Sequence, residues 1–240
     1  MRLHNKVAIV AGAGGGMGTA IPALFAREGA RLLLVARRRP PLEALAERLR
    51  PGGGEVEVCT ADLTTREGAE TMAAAALKRY GRIDVLYNNL GDSAFAGIPP
   101  HQSDDAAWDY LHRINLDGAF LCSRAVLPAM LQQGRGSIIH ASAAARVRLR
   151  GNVGYSAAKA GVVELSRRLA RAYRDQGIRV NCICPGGIGN DAEAALQPPP
   201  ATLARGAHPG DVAYAALYFA SDESAWVTGQ VLEVDGGKGL

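Results

Sequence analysis

The sequence has few cysteines, and their spacing excludes the common cysteine-based sites. The four are Cys59, Cys122, Cys182 and Cys184, and none shows metal-ligand or Cys-x-x-Cys redox spacing. Cys182 and Cys184 stand two apart in a strand-like run, so they point to one face and are predicted to be small, buried side chains. We therefore expect no metal site.

Long hydrophobic runs are also missing. The chain starts with Met1-Arg2-Leu3-His4-Asn5-Lys6 and then enters an apolar strand of only about five residues. This start lacks the longer apolar core and the small-residue cleavage site of a secretory signal. No apolar stretch elsewhere is long enough to span a bilayer. We expect a soluble protein of the reducing cytoplasm with no membrane partner.

The chain lacks any long block of like charge. Its formal net charge is +4, with 23 arginines against 4 lysines, but the basic residues are scattered and form no long tail. Charge alone therefore gives no reason to expect a nucleic-acid partner. Hydrophobic residues make up 48% and aromatic residues only 5%, with 29 glycines, a composition typical of a globular α/β protein. The length of 240 residues fits one domain, 1–240.

Short apolar strands alternate with helical patterns along the whole chain. Strands are predicted at residues 7–10, 31–36, 55–60, 83–87, 137–142, 178–184 and 230–234. Helices are predicted at residues 20–28, 41–50, 65–80, 155–176 and 210–220, with a further long helical stretch that ends at residue 133 and breaks near Asn115. This alternation predicts an α/β fold, a doubly wound parallel sheet of Rossmann type with helices on both faces. Residues 190–208, with three consecutive prolines, are predicted to form a substrate loop or short lid.

A glycine-rich turn follows the first strand. Gly12, Gly16 and Gly18 form a Gly-x-x-x-Gly-x-Gly pattern directly before a helix. Such a turn presents main-chain N–H groups and the positive end of the helix dipole to a pyrophosphate. The pattern is weak evidence alone, and a flexible surface turn is the alternative interpretation.

The second strand ends in Ala36-Arg37-Arg38-Arg39, with no carboxylate at its tip. In a dinucleotide fold this tip meets the adenosine ribose, where an acidic residue suits a 2′-hydroxyl and an arginine suits a 2′-phosphate. Arg37, helped by Arg38, therefore favours NADP over NAD. The alternative is that these arginines are the solvated start of the next helix. Asp62, after the third strand, is a candidate contact for the adenine amino group.

Tyr155 and Lys159 stand four residues apart in a predicted helix, so they share one face. A tyrosine titrates near pH 10, and a nearby cation such as Lys159 would favour its phenolate. Ser142, at the carboxyl end of a predicted strand, could hold a substrate carbonyl oxygen while Tyr155 exchanges the proton. The alternative is an amphipathic helix with an ordinary surface lysine.

Two further features are candidates for the same site. Asn115 is unfavourable inside a helix by propensity, which suggests that it makes a polar contact. Arg146, Arg148 and Arg150 alternate between Ser142 and Tyr155. If this segment is extended, the three share a face and could attract an anionic substrate or an acidic carrier protein; a solvated loop is the alternative.

Together, these motifs resemble the short-chain dehydrogenase/reductase family over essentially the whole chain. The resemblance rests on the order and spacing of Gly12-x-x-x-Gly16-x-Gly18, Asp62-Leu63, Asn88-Asn89-x-Gly91, Asn115, Ser142, Tyr155-x-x-x-Lys159 and Pro185-Gly186. It implies an NAD(P)-dependent enzyme acting on ketones, aldehydes or secondary alcohols. It also implies a homotetramer or homodimer, commonly with helix 155–176 in an interface.

The resemblance also implies roles for individual residues. Tyr155 would be the general acid/base, Ser142 would orient the substrate oxygen, and Lys159 would bind the nicotinamide ribose and lower the tyrosine pKa. Asn115 would hold a water of a proton relay. The implied cofactor contacts are Gly12, Gly16, Met17, Gly18, Arg37, Arg38, Asp62, Leu63, Asn89, Gly91, Tyr155, Lys159, Pro185, Gly186 and Ile188.

The chain departs from the family pattern at several positions. Ala11 replaces a threonine, Leu90 replaces an alanine and is expected to crowd the ribose region, and Asn190 is expected to replace a threonine that contacts the nicotinamide amide. The loop after these residues is shorter than the family norm, and Gly14-Gly15 offers no basic side chain for a 2′-phosphate. Two alternatives to a carbonyl reductase stay open: a reductase of a carrier-bound 3-oxoacyl thioester, and a cofactor-binding protein without turnover.

Overall fold

The computed structural model describes residues 1–52, 54–189, 191 and 193–239. The strands are β1 (Val7–Ala11), β2 (Arg31–Ala36), β3 (Val56–Thr60), β4 (Val85–Asn88), β5 (Gly136–Ala141), β6 (Ile178–Pro185) and β7 (Val231–Val234). The helices are α1 (Met17–Arg27), α2 (Arg39–Leu49), α3 (Arg66–Tyr80), α4 (Asp105–His112), α5 (Gly118–Gln133), α6 (Ala145–Arg148), α7 (Val153–Tyr173) and α8 (Pro209–Ala220). All seven strands form one parallel sheet in the order β3-β2-β1-β4-β5-β6-β7.

The central strands are apolar because both faces of the sheet are covered. Every residue of β1 and β4 is buried, as expected for strands packed between two helical layers. One core lies against α1, α2 and α8, and a second lies against α3, α5 and α7. The prediction of a doubly wound sheet with helices on both faces is confirmed.

The strand order reverses between β1 and β4. Ala11 pairs with Asn88, so the loops that follow these two strands start side by side at the carboxyl edge. A crevice opens at such a switch point because the connections leave it in opposite directions. The fold therefore places the glycine loop beside the Asn89–Gly91 segment.

Most of the predicted elements lie within a few residues of the observed ones, and the larger differences have local causes. Helix α1 begins at Met17, three residues before the predicted start at position 20, directly after Gly16, whose φ of 41° ends the loop. The break predicted near Asn115 is a π-helical turn, Arg113–Asp117, between α4 and α5. Residues Ala145–Arg148, not predicted as a helix, form the short α6.

One helical stretch corrects the expectation that no segment could span a bilayer. Within the part of the chain that the structure describes, Asp105–Gln133 has the length and the mean hydropathy, 1.2, of a candidate span. The π-helical turn interrupts this stretch, and its α5 portion packs on α3 and on the sheet. With 44% of its apolar window buried, it has the character of a core helix.

Candidate active site

The glycine loop adopts a backbone that only glycine tolerates. Gly12 has φ +85°, and a Cβ there would lie 2.9 Å from the carbonyl oxygen of Asn89. A Cβ on Gly18 would lie 2.5 Å from the carbonyl oxygen of Gly12. These contacts, together with the hydrogen bond from Asn89 Nδ2 to the Gly12 carbonyl at 3.2 Å, pack the loop tightly against the end of β4. Glycines are therefore required for this close approach.

The start of α1 has unpaired donors. Among the described residues, the N–H groups of Gly15 and Gly16 have no hydrogen-bond acceptor, and Gly16 is buried. Free N–H groups at the N-terminal end of a helix, where the helix dipole is positive, form an anion site. The loop therefore fits a pyrophosphate.

The tip of β2 is basic and open to solvent. Arg37 and Arg38 are exposed and line the same cleft as the glycine loop, and neither forms an ion pair with any described residue. Asp62 lies across the cleft, and its Oδ1 accepts hydrogen bonds from the Thr64 amide and hydroxyl at 3.0 and 2.7 Å. These bonds hold the pKa of Asp62 below its usual value, and the charge of Arg37 adds to this effect.

The start of helix α7 sets the positions of Tyr155 and Lys159. Asn152 caps the helix, since its Oδ1 accepts from the Gly154 amide at 2.8 Å. This cap places Tyr155 in the first turn and Lys159 one turn later. Lys159 is buried, and its Nζ donates to the carbonyl oxygens of Leu90 at 2.9 Å and Ala141 at 3.0 Å. Burial lowers the pKa of Lys159 to about 8.

The charge that acts on Tyr155 comes from an unexpected residue. Burial raises the pKa of the Tyr155 hydroxyl, and the positive charge of Arg148 opposes that rise. Arg148 is held in place by a hydrogen bond from its Nη1 to the Ala143 carbonyl at 2.6 Å, while its own carbonyl accepts from the Ser156 hydroxyl. The Lys159 ammonium, which the sequence suggested for this electrostatic role, donates to the main-chain carbonyls of Leu90 and Ala141.

Ser142 follows β5 and meets α7. Its Oγ donates to the carbonyl oxygen of Lys159 at 2.6 Å, and it lines the cleft together with Tyr155 and Lys159. Because a hydroxyl hydrogen can rotate to suit its acceptor, Ser142 can donate to a substrate oxygen in place of this carbonyl. The predicted meeting of Ser142, Tyr155 and Lys159 at the carboxyl edge is what the structure shows.

Asn115 lies just behind the cleft, in the π-helical turn. Its Nδ2 donates to the carbonyls of Asp92 at 2.9 Å and Leu111 at 3.0 Å, and its Oδ1 accepts from the Asp92 amide at 3.2 Å. A Cβ on Gly91 would lie 2.8 Å from Lys159 Nζ and 2.9 Å from Asn115 Oδ1. The missing side chain of Gly91 therefore lets both polar groups approach the same point. π-Helical turns occur often at functional sites.

The cleft at the carboxyl edge has a volume of about 950 Å³. It brings together most of the predicted site residues: Gly12, Met17, Arg37, Arg38, Asp62, Leu63, Asn89, Gly91, Ser142, Tyr155, Lys159, Gly186 and Ile188. Four other predicted site residues, Gly16, Gly18, Asn115 and Pro185, do not line the cleft. Asn190 lies outside the described residues. Among the lining residues that the sequence reasoning missed are Asp92, Ile114 and Val147, which carry no motif signal.

The arginines before α7 do not share a face. Because α6 is helical, Arg146 and Arg148 point roughly 200° apart around its axis. Arg148 turns inward to Ala143, whereas Arg146 and Arg150 are exposed. The extended arrangement considered from the sequence is therefore wrong, and Arg148 points away from the other two arginines.

Comparison with known proteins agrees with this geometry. A family model described as "Enoyl-(Acyl carrier protein) reductase" matches residues 12–238. The chain belongs to the short-chain dehydrogenase/reductase family. It is 36% identical to the 3-oxoacyl-[acyl-carrier-protein] reductase FabG of Thermotoga maritima, with 99% of both chains covered. It is 37% identical to a D-threitol dehydrogenase of Mycolicibacterium smegmatis, over 98% of this chain and 94% of that one.

A solved structure gives the same result. A short-chain dehydrogenase/reductase from Burkholderia xenovorans superposes with a TM-score of 0.87 and 36% identity, covering 98% of this chain and 97% of that one. Membership in the family makes the protein an oxidoreductase that acts on CH–OH and C=O groups with a nicotinamide cofactor.

Proposed function

We propose that this short-chain dehydrogenase/reductase is NADP(H)-dependent and interconverts a ketone or aldehyde with the corresponding alcohol, with Tyr155 as the general acid/base. One observation carries the proposal. Ser142, Tyr155 and Lys159 line one cleft with the glycine loop and the arginines at the tip of β2. The nicotinamide, when bound, supplies the hydride chemistry.

The protein's own residues supply position, charge and a proton. Ser142 and Tyr155 hold the substrate oxygen, and Tyr155 gives it a proton during reduction or takes one during oxidation. Lys159 and Asn115, on either side of Gly91, form the route by which that proton is exchanged with solvent. The Lys159 ammonium also holds the nicotinamide ribose.

The preference for NADP rests on Arg37. A guanidinium without a carboxylate partner at the tip of β2 suits a 2′-phosphate, which an acidic residue would repel. Arg38, at the start of α2, adds a second positive charge. NAD is the alternative cofactor, since Gly14 and Gly15 offer no basic side chain of their own.

A homo-oligomer, a tetramer or a dimer, in the cytoplasm is part of the proposal. Large apolar side chains are exposed on α4 and α5, at Trp108 (42%) and Phe120 (42%), and around β7, at Trp226 (100%) and Leu232 (39%). Exposed apolar groups of this size are typical of surfaces that associate. All four cysteines are free thiols, which suits a reducing compartment.

The test replaces Tyr155 with Phe. We expect turnover of a panel of ketones and aldehydes with NADPH to fall by about 10²–10⁴-fold, while NADPH affinity measured by fluorescence changes little. Turnover close to that of the wild type would overturn the assignment of Tyr155. A wild-type protein that binds NADPH but reduces no carbonyl compound would instead support a cofactor-binding protein without turnover.

A second candidate is favoured by the similarity to a FabG. A carrier-bound 3-oxoacyl thioester would reach the cleft past Arg146 and Arg150, and attraction of an acidic carrier would be screened by salt. Strong loss of activity with salt for a carrier-bound substrate, but not for the same acyl group on a small neutral thiol, would select this candidate.

A further inference from the structure

A small side cavity opens beside the active-site cleft. It has a volume of about 200 Å³, room for roughly six water-sized groups. Three of its lining residues, Val147, Gly186 and Gly187, also line the main cleft. Val147 packs in the same cluster as Tyr155. The side cavity is therefore a branch of the catalytic cleft.

The walls of the side cavity are mostly cationic. Arg146 and Arg150 come from α6 and the turn that follows it, and Lys238 comes from the segment after β7. None of the three forms an ion pair with any described residue, and within the same residues the side chain of Arg146 makes one hydrogen bond, to the Lys238 carbonyl at 3.4 Å. These cations are available to a ligand.

One carboxylate, that of Asp235, also lines the side cavity. Its Oδ1 accepts from the Gly237 amide at 2.9 Å, and its Oδ2 is buried with no hydrogen-bond partner among the described residues. Its charge leaves the lining with an excess of two positive charges. A neutral substrate would leave these positive charges unpaired, and unpaired like charges repel one another.

A second large cavity, at the opposite edge of the sheet, is different. Its cations are already paired: Lys6 lies 2.6 Å from Asp222 and Arg174 lies 3.3 Å from Asp175. Arg179 donates to main-chain carbonyls, including that of Phe219 at 2.8 Å. The side cavity, in contrast, combines cations that form no ion pair with any described residue with a wall, Val147, that packs in the same cluster as Tyr155.

We propose that Arg146, Arg150 and Lys238 form an anion subsite, so that the substrate is a small oxo compound whose far end carries a carboxylate or a sulfonate. The proposal rests on the proposed function: the carbonyl group lies at Ser142 and Tyr155, and the anionic end enters the side cavity. Paired arginines suit such groups because each guanidinium can donate two parallel hydrogen bonds. The subsite therefore orients the carbonyl by its opposite end.

The test compares acids with matched neutral compounds. Pyruvate, acetoacetate and levulinate, each with its methyl ester, are reduced with NADPH by the wild type and by the double variant Arg146→Gln/Arg150→Gln. We expect kcat/KM for the preferred acid to fall by about 10- to 100-fold, mostly through KM, and that for its ester to change less than about threefold. Acetonylsulfonate as a fourth substrate separates carboxylate from sulfonate. Arg27→Gln, at the far end of α1, is the matched control and should change kcat/KM for neither the acid nor its ester.

Binding without turnover separates this proposal from the assignment of the reaction. Calorimetric titration of the same acids and esters into the protein saturated with NADP⁺ should show acid binding that is lost in the double variant, even if no substrate is turned over. Equal binding or equal reduction of acids and esters by the wild type would overturn the anion subsite. So would equal losses for both in the double variant.

Discussion

Lys159 Nζ lies 2.9 Å from the carbonyl oxygen of Leu90, beyond the end of β4. The same ammonium reaches the end of β5 at Ala141, so a single buried cation joins the carboxyl ends of the neighbouring strands β4 and β5. Its third hydrogen is left for a ligand, since an ammonium has three donors. The two carbonyls therefore fix the Lys159 ammonium at the cleft, where its remaining hydrogen can bind a ligand.

The pH dependence of cofactor binding should follow Lys159. Its pKa is lowered to about 8, so the ammonium loses its proton as the pH rises from about 7 towards about 9, and a charge-assisted hydrogen bond to the cofactor is lost. We expect NADPH affinity, measured by fluorescence between pH 7 and 9.5, to weaken above pH 8 in the wild type. Lys159→Met should bind more weakly at pH 7 and show a flat profile. The same slope in both proteins would contradict this role.

Coenzyme choice should depend on Arg37. Arg37→Asp places a carboxylate where a 2′-phosphate is expected, and we predict a loss of NADPH affinity of about 10- to 100-fold with NADH affinity maintained or improved. Arg39→Asp is the matched control, because Arg39 already pairs with Glu43 at 2.6 Å and does not line the cleft. Parallel titrations with both cofactors measure the effect. Tighter binding of NADH than NADPH by the wild type would reverse the cofactor assignment.

The charge of Arg148 should appear in the pH–rate profile. Its positive charge opposes the burial that raises the pKa of Tyr155, so Arg148→Met should raise that pKa further. For alcohol oxidation, which needs the phenolate, the rising limb of kcat/KM should move to higher pH. Arg124→Met, whose guanidinium stacks on Phe120 away from the cleft, should leave the profile unchanged. A uniform loss of rate without displacement of the limb would indicate a structural role only.

The glycine loop offers a matched pair of substitutions. Gly12→Ala forces a Cβ to within 2.9 Å of the Asn89 carbonyl at φ +85°, and we expect a loss of stability of about 1–3 kcal/mol together with loss of NADPH binding. Gly15→Ala has nothing within 4 Å of its Cβ and should keep the stability of the wild type. Chemical denaturation of both variants measures the difference. Equal stabilities would show that the loop is free to rearrange.

Acid stability should depend on a buried histidine. His140 is fully buried on β5, with its ring nitrogens 2.8 Å from Ser166 Oγ and 2.9 Å from Ser123 Oγ. Burial lowers its pKa to about 3, against about 6.5 in the unfolded chain. The unfolded state therefore binds the proton first, and stability falls as the pH drops below 6.5 towards 3, by at most about 1.4 kcal/mol per pH unit from this residue.

A variant isolates that contribution. In His140→Leu both serines keep their hydrogen bonds to main-chain carbonyls, Ser123 to Ala119 and Ser166 to Val162, each at 2.7 Å. We expect the free energy of unfolding, measured in urea at pH 7.5 and pH 5, to fall less for this variant than for the wild type. An identical fall in both would assign the acid sensitivity to other groups.

Most of the fold could be predicted because its signals are local. Strand β2 lies where it was predicted, at Arg31–Ala36, since the run of five apolar residues at 32–36 is typical of a buried parallel strand. Helix α3 begins one residue after its predicted start because Thr65 is its cap. The short α6 was missed, since four residues carry too little periodicity to distinguish a helical turn from a loop.

Within the candidate site, the same division holds. The spacing of Tyr155 and Lys159 places both on one face of a helix. The glycine pattern predicts a tight loop that residues with a side chain could not adopt. The sequence did not predict that Arg148 would supply the charge near Tyr155, because the pitch of α6 turns it away from Arg146. Asp92, whose carbonyl accepts a hydrogen bond from Asn115, was also missed, because the two residues are 23 positions apart in the sequence.

The sequence by itself determined the strand and helix alternation, the glycine loop and the Tyr155–Lys159 pair, because each depends on backbone preferences over a few neighbouring residues. Only the tertiary structure decided which distant groups meet. Lys159 reaches Leu90 across 69 positions, and Arg146 reaches Lys238 across 92. Such contacts depend on how the helices pack on the sheet, and packing sums many weak interactions along the whole chain that no short pattern contains.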